Sequence, residues 1–99
     1  MRKIVLVCAA GMSTSMLVTK MREAAKQMDY ECTIDAYPVA ETKKVALDAD
    51  VVLLGPQVRF QLDKVKEMVS CPVEAIDMSD YGTMNGVNVV KRAKELLGD

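Results

Sequence analysis

Ile4-Val5-Leu6-Val7-Cys8-Ala9-Ala10-Gly11-Met12-Ser13-Thr14-Ser15 is the stretch whose reading decides the fold. Its first four residues form a continuous apolar run, the pattern of a short strand covered on both faces. A tight loop of small residues follows. Beyond it Leu17, Met21, Ala24 and Met28 fall on one helical stripe, with Val18 and Ala25 beside it. Strand, small-residue loop and helix in immediate succession aim backbone N–H groups and a helix N-terminus at one point, which suits a dianion. A thiol in such a field is favoured as its thiolate, and Cys8 stands at that point.

Working outward, further strand-length apolar runs occur at Cys32–Tyr37, Val51–Leu54 and Val73–Ile76. The first of these alternates like an edge strand, with Cys32, Ile34 and Ala36 on one side; Val51–Leu54 is apolar throughout. Between and after them lie a weak helical segment at Glu41–Leu47, a helix carrying Val58, Leu62, Val65 and Val69, and a last helix carrying Val89, Val90, Ala93, Leu96 and Leu97. The alternation predicts an α/β fold, a four-stranded parallel sheet with helices on both faces. Right-handed crossovers and the two fully apolar runs favour strand order 2-1-3-4. Cys8 then lies where the winding direction switches, the usual ligand position in open sheets.

Composition narrows the function. A chain of 99 residues, 51% hydrophobic and 27% charged, predicts one globular domain over residues 1–99. A net charge of -1 and only 4% aromatics argue against nucleic acid or an anionic membrane surface as partner. No apolar stretch approaches the roughly 20 residues that cross a bilayer, and the run after Arg2 and Lys3 is too short for a signal peptide. Three cysteines without zinc or CxxC spacing, and no histidine, predict a reduced cytoplasmic protein with no metal and no cofactor. The absence of a long exposed apolar stripe predicts a monomer.

Around Cys8 each residue type has a use. Ala10 and Gly11 let backbone amides approach a bound group closely; Ser13, Thr14 and Ser15 add hydroxyl donors, one of them a helix cap; Met12 puts an apolar side chain in a polar loop, where it meets either a partner or the core. Spacing alone leaves two roles open for Cys8, a nucleophile in an anion cradle or a buried thiol ending a strand. A cysteine phosphatase of this layout resembles Cys, five residues, Arg, Ser. Here Thr14 stands six residues after Cys8, with Ser15 next, so the guanidinium clamp is missing. A loop without it should hold a phosphoryl group and hydrolyse it poorly, although a phosphatase, an arsenate-reductase-like enzyme and a non-catalytic anion-binding module remain alternatives.

Elsewhere, Gln57 in Gly55-Pro56-Gln57 either walls the site, donating to a bound phosphoryl group or to a partner's surface, or belongs to a plain turn with no direct role. Asp77 is a helix cap, a solvated turn or a general acid. Tyr81 belongs either to a docking rim or to the edge of the core. Cys32 and Cys71 look structural. Lys20, Arg22 and Lys26 form a basic helix face, either solvated or attractive to an acidic partner.

Three segments together resemble one family: Cys8-Ala9-Ala10-Gly11-Met12-Ser13-Thr14-Ser15-Met16-Leu17, then Ala49-Asp50-Val51-Val52-Leu53-Leu54-Gly55-Pro56-Gln57, then Pro72-Val73 with Ile76-Asp77 and Tyr81-Gly82. They are similar to the IIB component of the bacterial sugar phosphotransferase system, lactose/cellobiose/chitobiose group. The resemblance covers the whole chain; it departs in Met16, where Leu is common, and near Asn85, where an acidic residue is expected. It implies a fold like that of low-molecular-weight tyrosine phosphatases and a phosphocysteine carrier at the cytoplasmic face of the membrane. By this resemblance Cys8 accepts a phosphoryl group from a phosphohistidine IIA partner, held by the amides of Ala10, Gly11, Met12, Ser13, Thr14 and Ser15. The group then passes to a sugar, a β-linked disaccharide such as cellobiose, chitobiose or lactose, held by the membrane-embedded IIC partner.

Overall fold

The computed structural model describes residues 1–9 and 12–99, with the side chains of Met12 and Ser13 outside the description. The strands are β1 (Arg2–Cys8), β2 (Cys32–Pro38), β3 (Val51–Leu54) and β4 (Val73–Ala75). Among the described residues they form a four-stranded parallel sheet in the order β2-β1-β3-β4, as the crossover argument predicts. The helices are α1 (Met12–Gln27), α2 (Thr42–Val45), α3 (Leu62–Met68), α4 (Met78–Gly82) and α5 (Gly86–Leu97).

The uninterrupted apolar run of β1 has a simple cause. Ile4 and Leu6 pack on one side of the sheet with Leu17, Met21, Val89 and Val90 of α1 and α5. Val5 and Val7 pack on the other side with Val58 and Val65. Each residue of a central strand therefore meets a hydrophobic layer, whichever way it points. On edge strand β2 the alternation is half visible: Cys32, Ile34 and Ala36 join the α1–α5 layer, whereas Tyr37 joins the other. Arg22 ties α1 to β2, donating to the Ile34 carbonyl at 2.9 and 2.6 Å and to Asp35 at 2.9 Å, which gives this cation of the basic face a structural role.

Two helical expectations need correction. The segment at Glu41–Leu47 is a single turn of 3-10 helix, Val39–Glu41, followed by the four residues of α2. The helix expected from Val58 to Val69 is also composite. A 3-10 stretch runs from Pro56 to Gln61 with non-helical geometry at Val58, α3 follows, and Val69 is already extended. Val58, Leu62, Val65 and Val69 nonetheless all face the same layer, so the stripe holds where the continuous helix does not. The cause is local. Gly55 N–H donates to the Val7 carbonyl at 2.8 Å and Val58 N–H to the Gly55 carbonyl at 3.0 Å, so the chain after β3 is pinned to β1 before it can coil freely.

α1 and α5 cross closely at Gly86. A β-carbon there would stand 2.6 Å from both the Lys20 carbonyl oxygen and the Met21 nitrogen, closer than unlinked heavy atoms pack. Asn85, the departure noted in the sequence, caps α5 by accepting from Asn88 N–H at 3.0 Å, a role suited to its short side-chain amide.

Candidate functional site

Parallel pairing brings the ends of β1 and β3 together, with Val7 opposite Leu54. The next residues, Cys8 and Gly55, are therefore neighbours. Strand alternation places Cys8 on the same side as Ile4 and Leu6, the side covered by α1. Its exposure is only 5%, and α1 begins four residues later at Met12. Gly55 is needed for room rather than for its backbone angles, since its φ is -60°. A β-carbon at that position would stand 3.3 Å from Cys8 Cβ and 3.0 Å from Gln57 Oε1. Cys8 and the Gln57 side chain thus converge on Gly55 at the carboxyl end of the sheet, where β1 sends its chain to one face and β3 sends its chain to the other.

α4 closes this end and has no counterpart among the helices expected from the sequence. Asp77 caps it, its carboxylate accepting from Ser79 N–H at 2.9 Å and Asp80 N–H at 3.1 Å. The cap carries Tyr81 into the layer under α1 and α5, where the side chain is 8% exposed. Its hydroxyl lies 2.9 Å from Thr14 Oγ1, and Thr14 itself is 2% exposed. Tyr81 is accordingly core rather than docking rim. The Thr14 hydroxyl, expected to face a phosphate, is turned instead onto Tyr81. Ser15 is exposed on α1. The expectations for Ala10 and Gly11, and for the side chains of Met12 and Ser13, lie outside the described residues.

Cys32 opens β2 and Cys71 precedes β4, so both lie at the opposite end of the sheet from Cys8. Burial pushes both thiols above the ordinary cysteine range, which keeps them protonated and weakly nucleophilic at neutral pH. Among the described residues no group of His, Cys, Asp and Glu could hold a metal ion, and no helix is long and apolar enough to cross a membrane. A groove of about 510 Å³ between β4 and α5 contains several carboxylates, but they are engaged: Glu74 with Arg92, Asp80 with Asn88, Asp77 in its cap.

Exposed apolar side chains include Met16 on α1, Phe60 after β3 and Met78 at the start of α4. Arg59 Nη1 donates to Met78 Sδ at 3.5 Å, linking the turn after β3 to α4. Phe60 carries no periodic signal in the sequence because its neighbours are 3-10 rather than α-helical.

Residues 3–92 match the family model described as "PTS system, Lactose/Cellobiose specific IIB subunit". The chain belongs to this family. This IIB chain is 41% identical to the oligo-beta-mannoside-specific EIIB component of Bacillus subtilis, over 98% of its own length and 97% of the relative's. It is 40% identical to the galactose-specific EIIB component of Lactococcus lactis subsp. cremoris, over 95% and 94% of the two chains. Its structure matches the solution structure of the cellobiose-specific IIB component from Borrelia burgdorferi with a TM-score of 0.81 at 41% identity, covering 98% of this chain and 92% of that one. IIB subunits are phosphotransferase components of sugar uptake, so the chain is of that general kind. Three relatives of nearly equal similarity bear three different sugar names.

Proposed function

We propose that this IIB chain is a phosphocysteine carrier in which Cys8 takes a phosphoryl group from a phosphohistidine on a IIA partner. It passes the group on to a sugar held by a IIC membrane partner. The observation that carries this is the position of Cys8: at the end of a central strand, at the winding switch, directly before α1, with Gly55 packed closely against it.

In the first step the Cys8 thiolate attacks phosphorus. A P–S bond forms as the P–N bond breaks, and the electron pair stays on the departing imidazole nitrogen of the partner. Such in-line transfer asks for positioning and charge stabilisation rather than for a base on this chain, in keeping with a sequence that has no histidine. The amides of Ala10, Gly11, Met12, Ser13, Thr14 and Ser15, with the α1 dipole, hold the dianion. In the second step a sugar hydroxyl oxygen attacks phosphorus, its proton goes to solvent or to the acceptor site, and the P–S electron pair returns to Cys8 as thiolate.

Position 14 supports a carrier over a phosphatase. Thr14 is buried and hydrogen-bonded to Tyr81, so nothing there presents the guanidinium that a phosphatase sets against the phosphoryl oxygens. The sugar is a β-linked disaccharide of the cellobiose, chitobiose or lactose kind, selected by the membrane partner rather than by this chain. The IIA partner docks over the carboxyl end of the sheet, against the exposed Met16, Phe60 and Met78.

Incubation with a phosphorylated IIA component tests this. The intact mass should rise by one phosphoryl group in the wild type and in Cys32→Ser and Cys71→Ser, and stay unchanged in Cys8→Ala. A wild-type chain that gains nothing, or a Cys8→Ala chain that gains as much, overturns it.

A further inference from the structure

We propose that Gln57, which lies outside the cysteine loop, is a direct ligand of the phosphoryl group on Cys8, its side-chain amide N–H donating to a phosphoryl oxygen. The proposal rests on the phosphocysteine role of Cys8. Its structural basis is the convergence of Cys8 and the Gln57 side chain on Gly55: Gln57 Oε1 and Cys8 Cβ lie 3.0 and 3.3 Å from where a Gly55 side chain would begin, so the amide end of Gln57 stands within a few ångströms of Cys8.

The turn that presents Gln57 is rigid. Gly55 N–H is bonded to the Val7 carbonyl at 2.8 Å, immediately before Cys8, and Val58 N–H to the Gly55 carbonyl at 3.0 Å. Pro56 limits the backbone, and Val58 is buried in the layer beneath β1 and β3. Gln57 is thus fixed at its backbone next to the thiol while its side chain remains exposed to solvent. Rotation of the terminal amide about its last torsion exchanges Oε1 for the NH₂ on the side near Cys8. A primary amide is well suited to such a place: it offers two donors, carries no charge that would trap the dianion, and cannot compete as a nucleophile. A carboxylate there would repel the phosphoryl group, and an ammonium would bind it more tightly.

A charge series at this position tests the assignment through the equilibrium between phosphorylated IIA and this chain. That equilibrium does not depend on how fast the proteins dock. With phosphorylated IIA as donor, the equilibrium ratio of phosphorylated to free chain should fall about threefold in Gln57→Ala and about tenfold in Gln57→Glu. It should equal or exceed the wild type in Gln57→Lys. An exposed side chain is replaced in each case, so thermal unfolding should stay close to wild type; if one variant fails to fold, the order of the other two decides.

A wild-type chain that takes up no phosphoryl group overturns the phosphocysteine role itself. A wild type that loads normally, with ratios that do not follow charge across the series, overturns the Gln57 assignment alone. Variants that change only the rate of loading make Gln57 a docking residue and also overturn it.

Discussion

The hydroxyls of Thr14 and Tyr81 meet at 2.9 Å inside the protein, joining the first turn of α1 to α4 across 67 residues of sequence. Thr14 follows the cysteine loop directly and Tyr81 hangs from a helix capped by Asp77. The loop is therefore anchored at one end by β1 and at the other by a buried hydrogen bond to a separate element.

Tyr81→Phe should cost about 1–2 kcal/mol, because it removes a buried hydrogen bond to the Thr14 hydroxyl. Combining it with Thr14→Val removes both polar groups and should recover part of that loss. A double-mutant cycle from urea unfolding measures the coupling, and additive losses would show that the two hydroxyls act independently.

Thr14→Arg restores the residue type of a phosphatase loop at the sequence level. In the structure it would force a guanidinium into a site that is 2% exposed, so it should destabilise the fold by about 3 kcal/mol or more rather than create a phosphatase. A folded Thr14→Arg protein whose phosphocysteine hydrolyses faster than wild type would contradict this.

Asp77→Ala removes the α4 cap and should lower stability by about 1 kcal/mol, with Asp77→Ser retaining most of it. Because the cap positions Tyr81, Asp77→Ala and Tyr81→Phe should be less than additive. If Asp77 were a general acid, Asp77→Ser would abolish activity while leaving stability intact; equal transfer rates in the serine variant and the wild type are expected instead.

Gly86→Ala should destabilise by about 2 kcal/mol, even though alanine is the better helix former by about 1 kcal/mol. The new methyl group would meet backbone atoms of Lys20 and Met21, which cannot rotate aside as a side chain would. An unchanged urea midpoint would mean that α5 slides over α1 without loss.

Cys32 and Cys71 have their thiols pushed up by burial, so the folded protein favours the neutral form more than the unfolded chain does. Their contribution to stability is full below the unfolded thiol value, near 8.5–9 on the usual scale, and is lost as pH rises past it toward the folded value. Alkylation of both by iodoacetamide should be slow at pH 7 and increase only above about pH 9. Labelling at pH 7 as fast as in the urea-unfolded protein would refute it.

The element types and their order can be read along the chain because burial leaves a periodic trace. Ile4–Val7 and Val51–Leu54 are apolar throughout because both sheet faces are covered, and the stripes of α1 and α5 repeat because one side of each meets the sheet. The cysteine at the end of the central strand, with small residues after it, was likewise visible. By contrast α4 is five residues long, too short for a helical period to register, and the chain after β3 is kinked at Val58 by its tether to β1.

Sequence alone thus determined the sheet, its strand order, the place of Cys8 and the family to which the chain belongs. Tertiary structure decided that Thr14 turns to Tyr81, that Cys8 and Gln57 converge on Gly55, and that Gly86 lets two helices cross. Hydrophobic periodicity reports an average over one element. The identity of the atoms that meet depends on strand register and helix crossing between segments far apart in the chain, and these are set only when all the layers pack together.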